Sequence, residues 1–454
     1  KSDFPINDKN SPISRAKGKG GGGSTILYSG HLLRFHPSDF KTKSLDNVGS
    51  DWPIDYKDLE KYYKLNEKMM GVAGINGDPA YPKIDNLLPP VDLGTSGRLI
   101  AKTFNKLGWH WWPSYSGIAT KKIENRKIGS KSSVDVTYWP RALSNGVKLK
   151  TNTRVVKIVT EETGKVSGVI YKNQKNVEKF QSASLVIIAC NGIGTPRLLL
   201  NSFNKFYPNG LANTSGLVGK NLMLHPLGFV EGRFEKFLAS YLGPEGCCLF
   251  SHEFYETNKK HKFKRGYTMH LLRGSGPIET AIFAKKFNRL SFGKNFHQDF
   301  FKNYGHSIPM AIICEDLPEE HNSIQLDFKR KDTSGMPGVK INYTLSENSK
   351  KMLSHGISRG REIMKKAGAK EVLSFGPVKH AGWHLMGTVK MGNSKKNSVV
   401  NKFGQAHDVK NLLIVDSSIF PSSSGVNPMS TLQAFALSVA DKIKKFPNEF
   451  FNEK

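Results

Sequence analysis

The stretch Trp383-His384-Leu385-Met386-Gly387-Thr388 is followed by Met391-Gly392, by the strand-like run Leu412-Leu413-Ile414-Val415, and by Asn427-Pro428-Met429-Ser430-Thr431. A histidine is suited to general base catalysis near neutral pH because its unperturbed pKa lies close to that pH. Asn-Pro at the start of a helix supplies an N-cap, a fixed first-turn φ and backbone N–H groups directed at an anion. The stretch therefore predicts a polar site at the amino end of a helix.

The residues after Thr431 have the period of an amphipathic helix. The apolar positions at helical spacing are Leu432, Phe435, Ala436, Val439, Ala440 and Ile443. This pattern predicts a helix whose amino end sits at the core, with Asn427 directed inward from the cap. Taken singly, His384 is equally explained as a hydrogen-bonded core histidine and Asn427 as a simple cap.

The order and spacing of these motifs resemble the carboxyl-terminal signature of the GMC (glucose–methanol–choline) flavoprotein oxidoreductases. The matching positions are His384-x-x-Gly387-Thr388, Met391-Gly392, Val399-Val400-Asn401, Asn411-Leu412, Asp416-Ser417-Ser418, Pro421, and Asn427-Pro428 with Thr431. The resemblance covers most of the chain and, through the aromatic segment 51–63, is nearest to the sugar and sugar-acid dehydrogenases. It implies a mixed α/β and α+β fold, in which a Rossmann-like FAD-binding domain, incomplete at its amino terminus, accompanies an antiparallel-sheet substrate domain.

Composition and charge favour a large globular protein. The 454 residues are 38% hydrophobic and 10% aromatic, and 67 Lys and Arg against 38 Asp and Glu give a net charge of +29. The lysines are scattered in ones and twos, which favours a basic solvated surface over a nucleic-acid site. The four cysteines lack metal-ligand spacing, so neither a disulfide framework nor a metal site is predicted.

A glycine-rich segment near the amino end formally satisfies the dinucleotide fingerprint from Gly18 onward. That fingerprint has meaning only between a strand and a helix, and no strand-like pattern precedes Gly18. The string Gly22-Gly23-Ser24-Thr25 instead resembles the second glycine stretch of the family, which implies close approach to the flavin. Ile26 occupies the position of the histidine that carries covalent flavin in some members, so we expect non-covalent FAD.

The family's first βαβ unit, with its own glycine fingerprint and ribose-binding carboxylate, is not found in this sequence. The resemblance therefore leaves two alternatives. One is an FAD-dependent oxidoreductase that oxidises a CH–OH group of an alcohol, sugar or sugar acid. The other is a truncated or non-catalytic protein of the same fold that does not hold FAD by itself.

Residues 146–200 predict strands followed by a nucleotide site. The run Leu185-Val186-Ile187-Ile188-Ala189 is typical of a buried parallel strand, and a helix is expected to open at Thr195-Pro196. A strand, a glycine turn and a helix start in that order suit a nucleotide at the sheet edge. The resemblance assigns the adenine side of FAD to Val155, Ala189 and Gly192. Cys190, at an apolar strand end, is expected to be buried and inert.

The resemblance also divides the chain. The expected parts are residues 1–50 as a flavin-facing segment, 51–139 as a helical and aromatic lid, 140–226 as the adenine side of the FAD domain, 227–380 as the substrate domain, and 381–454 as the last FAD-domain segment with the catalytic residues. His225 precedes Pro226 at the link between the two domains. A structural role in a turn is favoured for His225, and contact with the active site is the alternative.

In the mechanism that the resemblance implies, His384 accepts the hydroxyl proton and Asn427 hydrogen-bonds the same oxygen. Asp416, Ser417 and Pro428, together with Asn427, are expected to contact the cofactor. A small alcohol or sugar is the expected substrate, and the electron acceptor stays open between a quinone, a cytochrome and oxygen. Neither a nucleic-acid partner nor a transmembrane segment within this chain is predicted, and the sequence does not indicate a compartment.

Overall fold

The computed structural model describes residues 3–14, 22–124, 126–243 and 246–451. The formal fingerprint at Gly18 to Gly21 lies outside these residues. Within them, the α-helices are α1 (Thr42–Asp46), α2 (Tyr56–Met70), α3 (Gly94–Leu107), α4 (Tyr138–Ser144), α5 (Asn191–Asn201), α6 (Pro277–Lys286), α7 (Phe296–Asn303), α8 (Glu347–Lys366) and α9 (Met429–Lys445). Short 3-10 turns cover Gly23–Ile26, Pro37–Lys41, Ser417–Ile419 and Pro447–Glu449.

The described strands are β1 (Ile6–Asn7), β2 (Trp112–Pro113), β3 (Arg154–Thr160), β4 (Val166–Lys172), β5 (Glu178–Ser182), β6 (Val186–Ile188), β7 (Leu227–Arg233), β8 (Cys247–Ser251), β9 (Tyr267–Leu272), β10 (Ser307–Cys314), β11 (Ser323–Lys331), β12 (Pro337–Asn342), β13 (Glu371–Phe375) and β14 (Leu412–Ile414). They form a six-stranded sheet in the order β13-β7-β10-β9-β8-β2, a pair β14-β6, and the three-stranded sheets β3-β4-β5 and β1-β12-β11.

The six-stranded sheet is antiparallel throughout, which confirms the sheet type expected for the middle of the chain. Helix α8 packs on β7 and β10 and buries Met352, Leu353, Ile363 and Met364 against them. Helix α3 joins the same core through Ile100 and Phe104. This half of the molecule is thus a layer of helices on an antiparallel sheet, a standard way of burying one sheet face.

The parallel pair β6 and β14 brings two distant stretches to one sheet edge. Leu412 pairs with Val186 and Ile414 with Ile188, so the residues that follow both strands lie side by side. The predicted parallel strand is confirmed, but its burial is only partial because Ile187 is 48% exposed. In the described part of the chain β6 has a single partner strand, which leaves its outer side uncovered.

Helix α9 follows the predicted apolar period and packs against α2. Tyr63 Oη lies 2.7 Å from Thr431 Oγ1, and Asn66 Nδ2 donates to Gln433 Oε1 at 3.0 Å. Helix α2 begins at an Asp55 cap, whose carboxylate accepts the N–H groups of the first turn. These contacts fix the first two turns of α9, where the predicted site residues lie.

Two sequence expectations about local structure are wrong. Residues 147–149 do not form a strand, and α5 begins at Asn191, four residues before the expected Thr195. The Asn191 side chain accepts the N–H groups of Ile193 and Gly194, at 3.0 and 3.3 Å, and so starts the helix before the Thr-Pro pair. Among the described residues no helix is both long and apolar enough to cross a bilayer.

Candidate active site

His384 lies on an extended segment that is fixed from two sides. Met386 exchanges both backbone hydrogen bonds with Met223, at 3.1 and 3.2 Å. On the other side the N–H of Gly387 donates to the carbonyl of Ser417 at 3.2 Å. The segment therefore connects the stretch after β14 with the stretch before β7, and His384 stands where these two parts of the chain meet.

The ring of His384 contacts a second histidine. Its Nδ1 lies 2.9 Å from Nδ1 of His225, and the two rings meet edge to face. The other ring nitrogen of His225, Nε2, lies 3.0 Å from the backbone carbonyl of Ser423. The contact with His384 supports the alternative that the sequence disfavoured for His225, since its ring reaches the site.

This chain of contacts assigns the tautomer of both rings. A carbonyl only accepts, so Nε2 of His225 carries the hydrogen and its Nδ1 holds a lone pair. Nδ1 of His384 must then be the donor across the 2.9 Å contact. In the neutral form of His384, the lone pair is left on Nε2, on the side of the ring that faces Asn427. This assignment follows from the hydrogen-bond network and fixes which nitrogen can accept a proton.

Asn427 presents its amide to that lone pair. Its Nδ2 lies 3.3 Å from Nε2 of His384, which suits an N–H donor, and its buried Oδ1 has no partner among the described residues. The prediction that Asn427 caps α9 is wrong by one residue, because Pro428 is the N-cap and no side chain caps the helix. Nδ2 faces His384, and Oδ1, the atom that would cap the helix, bonds none of the first helical N–H groups.

Burial keeps His384 neutral. Desolvation, followed by the charges of His225, His31 and His270, lowers its pKa well below 6.5. Burial likewise lowers the pKa of His225 to about 4. Both imidazoles are therefore uncharged near neutral pH, as the tautomer assignment requires, and His384 is available as a base.

A buried network around Asp316 holds His225 in place. His225 has φ of +52°, a left-handed conformation that costs a residue with a side chain on the order of 1–3 kcal/mol. The N–H of its neighbour Leu224 donates to Asp316 Oδ2 at 3.1 Å. The backbone of Asp316 also binds the Ser423 hydroxyl, at 2.8 and 2.9 Å. Asp316 thus positions both the residue before His225 and the residue whose carbonyl orients its ring.

The carboxylate of Asp416 accepts hydrogen bonds from backbone N–H groups and from a threonine hydroxyl. Its Oδ2 accepts from the N–H groups of Cys190 and Asn191, at 2.8 and 3.1 Å, and from Thr195 Oγ1. Its Oδ1 caps the following 3-10 turn through the N–H of Ser418. Asp416 therefore ties the end of β14 to the start of α5, and its assigned contact with the cofactor stays a prediction.

The residues assigned to the adenine side lie at the same sheet edge or near it. Gly192 is buried in the first turn of α5, and its N–H donates to the carbonyl of Leu385 at 3.2 Å, next to His384. Ala189 is exposed at the end of β6, and Val155 is 37% exposed on β3. Cys190 is exposed as well, so its expected burial is wrong, because β6 is covered on one side only.

The segment Gly22 to Thr25 forms a tight turn. Gly22 has φ of +91° and Gly23 has φ of +57°, and the Thr25 hydroxyl donates to the Gly22 carbonyl. A Cβ on Gly23 would meet no atom within 4 Å, so its outer side is open for close approach of another group. Contact of Gly22, Gly23, Ser24 and Thr25 with flavin stays a prediction.

Comparison with known proteins identifies the family. Two family models, both described as GMC oxidoreductase, match residues 7–227 and 318–436. The 2-methyl-1,2-propanediol dehydrogenase of Mycolicibacterium austroafricanum is 38% identical over 444 residues, which are 93% of this chain and 80% of that protein. The chain belongs to the GMC oxidoreductase family. It is thus an oxidoreductase of the class that acts on the CH–OH groups of alcohols and sugars, as the sequence predicts.

More distant relatives agree with this assignment. The large subunit of fructose dehydrogenase from Gluconobacter japonicus is 26% identical, covering 94% of this chain and 80% of its own length. Among solved structures, pyridoxine 4-oxidase from Mesorbium loti superposes with a TM-score of 0.62 at 14% identity, over 95% of this chain and 85% of its own. Formate oxidase from Aspergillus oryzae gives a TM-score of 0.65 at 14% identity, over 96% and 85%. The two structures confirm the fold.

Family membership confirms FAD as the cofactor, and the start of α9 fits it. Asn427 Oδ1 and Ser430 Oγ are buried there without hydrogen-bond partners among the described residues. The helix begins at Pro428 without a side-chain cap, so its first N–H groups can face a polar ring edge. Buried polar groups of this kind require a partner, which the pyrimidine edge of a flavin would supply. Non-covalent attachment stays a prediction.

Of the residues that orient the base, the sequence indicated only His225, for which contact with the active site was the disfavoured alternative. His225 carries a weak signal, since it follows a glycine turn and precedes a proline. Asp316 and Ser423 carry none, because each acts through buried contacts with residues about a hundred positions away. Only the folded chain brings them to His384.

Proposed function

We propose that this GMC oxidoreductase oxidises a CH–OH group of a small alcohol, diol or sugar, with Nε2 of His384 as the base. The observation that carries the proposal is the 3.3 Å contact between this lone-pair nitrogen and Asn427 Nδ2. A substrate hydroxyl placed beside both atoms would donate its hydrogen to the histidine and accept one from the amide. General base and hydrogen-bond donor would thus act on one oxygen.

His225 would support the proton transfer. When Nε2 of His384 takes the proton, the ring becomes a cation, and its Nδ1–H becomes a stronger donor to the lone pair of His225. Because Ser423 holds His225 in the accepting tautomer, this contact needs no rearrangement during the reaction. We therefore assign His225 as a positioning residue for His384.

Asn427 would stabilise the alkoxide that forms. One of its two Nδ2–H hydrogens would donate to the substrate oxygen beside His384, and a donor of this kind typically contributes about 10²–10³ in rate. The bound flavin would supply the hydride acceptor. Asn427, Pro428 and Ser430 at the start of α9, with Gly22, Gly23, Ser24 and Thr25 in the glycine turn, are proposed to hold it.

We also propose the predicted assignment of chain segments to domains. Residues 1–50, 140–226 and 381–454 would form the FAD domain, residues 51–139 its lid, and residues 227–380 the substrate domain. Val155, Ala189 and Gly192 would contact the adenine side, and Asp416 and Ser417 would contact the cofactor beside β14. A family member without bound FAD is the alternative.

The substrate class is tested by anaerobic mixing of the flavin-loaded protein with a panel of alcohols. The panel contains 2-methyl-1,2-propanediol, a simple monohydric alcohol and fructose, because the relatives described above are named for the first and the last. Bleaching of the visible flavin absorbance by one of these compounds is the expected result. A protein that binds FAD and is not reduced by any of them would contradict the proposed substrate class. Subsequent reoxidation by oxygen or by a quinone separates an oxidase from a dehydrogenase.

A further inference from the structure

Three potential metal ligands converge in the core, although the spacing of the cysteines predicts no metal site. They are His31, Cys247 and His270, all buried, with one ligand atom from each lying within 4.8 Å of the others. We call them the His-Cys-His cluster. Cys247 and His270 lie 23 positions apart on the paired strands β8 and β9, and His31 lies 216 positions before Cys247, so the fold brings His31 to the other two.

Both histidines direct the same ring nitrogen at the sulfur. Nδ1 of His31 lies 3.2 Å from Sγ of Cys247, and Nδ1 of His270 lies 3.4 Å from it. A tetrahedral Zn²⁺, with bonds of about 2.3 Å to sulfur and about 2.0–2.1 Å to nitrogen, separates these ligand atoms by roughly 3.5 Å. The two sulfur–nitrogen distances are within a few tenths of an ångström of that value, whereas the two nitrogens, which lie within 4.8 Å of each other, would have to be roughly 3.3 Å apart around one ion.

Local backbone features place the sulfur between the rings. The pairing of β8 with β9 shifts by a bulge between Cys247 and Leu249, and a bulge re-aims a side chain. The preceding Gly246 packs so closely on Ser29 that a Cβ would lie 2.2 Å from the Ser29 carbonyl. This close approach brings β8 against the segment that carries His31.

The hydrogen bonding of the His270 ring agrees with this geometry. Nε2 of His270 has no hydrogen-bond partner among the described residues, so Nδ1, directed at the sulfur, is its engaged nitrogen.

We propose that the His-Cys-His cluster binds a thiophilic divalent cation, Zn²⁺ being the ion that fits the ligand set most directly. One thiolate and two imidazoles fill three positions of a tetrahedron and leave the fourth for water or another oxygen ligand. Because the thiolate is the ligand, binding would release the Cys247 proton to solvent.

The test is a metal titration of the purified, flavin-loaded protein after dialysis against a chelator. ZnCl₂ is added and bound zinc is measured by elemental mass spectrometry, with proton release followed in weak buffer. CoCl₂ is the spectroscopic probe, because tetrahedral Co²⁺ absorbs in the red, clear of oxidised flavin. We expect one equivalent of zinc, one proton released, and a thiolate-to-cobalt band in the difference spectrum.

Substitutions test whether the His-Cys-His cluster is the site that binds the cation. Cys247→Ser is expected to lose the thiolate-to-cobalt band and the stoichiometric zinc, and His270→Gln to weaken binding. Cys248→Ser is the matched control, because the neighbouring Cys248 lies toward α3 on the other side of the strand, and it should bind like the wild type. Failure of the wild type to retain stoichiometric zinc would identify the cluster as a neutral hydrogen-bonded core and overturn the proposal. Binding that persists in a folded Cys247→Ser variant would also overturn it.

Discussion

His225 and His384 face each other through their Nδ1 atoms at 2.9 Å, and only one of the two atoms can carry the hydrogen. The Ser423 carbonyl decides which, because it requires the hydrogen of His225 on Nε2. Nδ1 of His384 therefore carries the hydrogen, and Nε2 on the other side of the ring is left as a proton acceptor. A backbone carbonyl two contacts away thus determines the basic nitrogen of the site.

The pair predicts a specific defect for His225→Phe, which removes the acceptor and keeps a ring of similar size. We expect kcat to fall by about 10–100-fold, the effect known for residues that orient metal-ligating histidines through the same kind of ring contact. KM should change little, and the flavin should stay bound. Steady-state kinetics with flavin absorbance measures all three.

A conservative variant separates positioning from packing. His225→Gln offers a side-chain oxygen to Nδ1–H of His384 and should recover part of the lost kcat. Equal losses in the Phe and Gln variants would mean that His225 matters only for packing.

Asn427→Ala tests the donor to the substrate oxygen. The variant loses an N–H aimed at the forming alkoxide, so kcat should fall by about 10²–10³-fold. The exposed Asn209 provides the control, since Asn209→Ala removes the same amide at a surface turn and should react like the wild type. A fall in flavin content without a fall in the rate per bound flavin would assign Asn427 to cofactor binding alone.

The pH dependence of kcat/KM reports the pKa of the base in the free enzyme. Burial, with the charges of the neighbouring histidines, lowers the pKa of His384 well below 6.5, and the base works only when deprotonated. We therefore expect kcat/KM to be flat from neutral pH down past 6.5 and to fall only at lower pH. An acid limb at 6.5 or above that disappears on replacement of His384 would contradict this prediction.

Asp316 predicts a pH dependence of stability. Burial raises its pKa from 3.8 to about 6, so the folded state keeps a proton between these values that the unfolded state has released. Stability from this group therefore falls as pH rises through that window, by up to about 3 kcal/mol. The neutral Asp316→Asn variant lacks this slope.

Chemical unfolding of both proteins between about pH 3 and about pH 7, roughly one unit beyond each end of the window, measures the difference. The free energy of unfolding of the wild type should decline relative to the variant as pH rises. Parallel curves for the two proteins would show that Asp316 titrates in the fold as it does in the unfolded chain.

Gly387→Ala tests the close contact that positions His384. Gly387 has φ of +89°, and a Cβ would lie 2.1 Å from the Asn221 carbonyl, so both the conformation and the space oppose a side chain. Gly368 has a similar φ of +94° with no atom within 4 Å of the added Cβ, and Gly368→Ala measures the conformational cost alone. That cost is about 1–3 kcal/mol, and Gly387→Ala should lose clearly more. Equal losses in thermal or chemical unfolding would show that the Asn221 contact relaxes freely.

Local sequence signals predicted the elements that carry the site. The apolar period after Thr431 predicted α9, the short apolar runs predicted the strands β6 and β14, and the motif order predicted the family. The helix and the strands were predicted from residues that are close together in sequence. The family was predicted from the order of motifs along the chain. Patterns of both kinds can be recognised from the sequence alone.

The missed features depend on contacts between distant residues. The Nδ2–H of Asn427 donates to His384, and its Oδ1 caps no N–H group of α9, an orientation that depends on the placement of His384 43 positions away. Cys190 is exposed although its strand is apolar, since exposure depends on how many neighbours the strand has. No spacing rule relates His31 to Cys247, which lie 216 positions apart.

The most direct test of His384 as the base is the anaerobic rate at which bound flavin bleaches after rapid mixing with a reactive alcohol. His384→Gln should keep its flavin spectrum and bleach about 10²–10⁴-fold more slowly, the usual cost of removing a positioned base. His297→Gln, on the exposed side of α7, is the matched control and should bleach at the wild-type rate. A His384→Gln protein that bleaches as fast as the wild type, or that has lost its flavin, would contradict the role of His384 as the base.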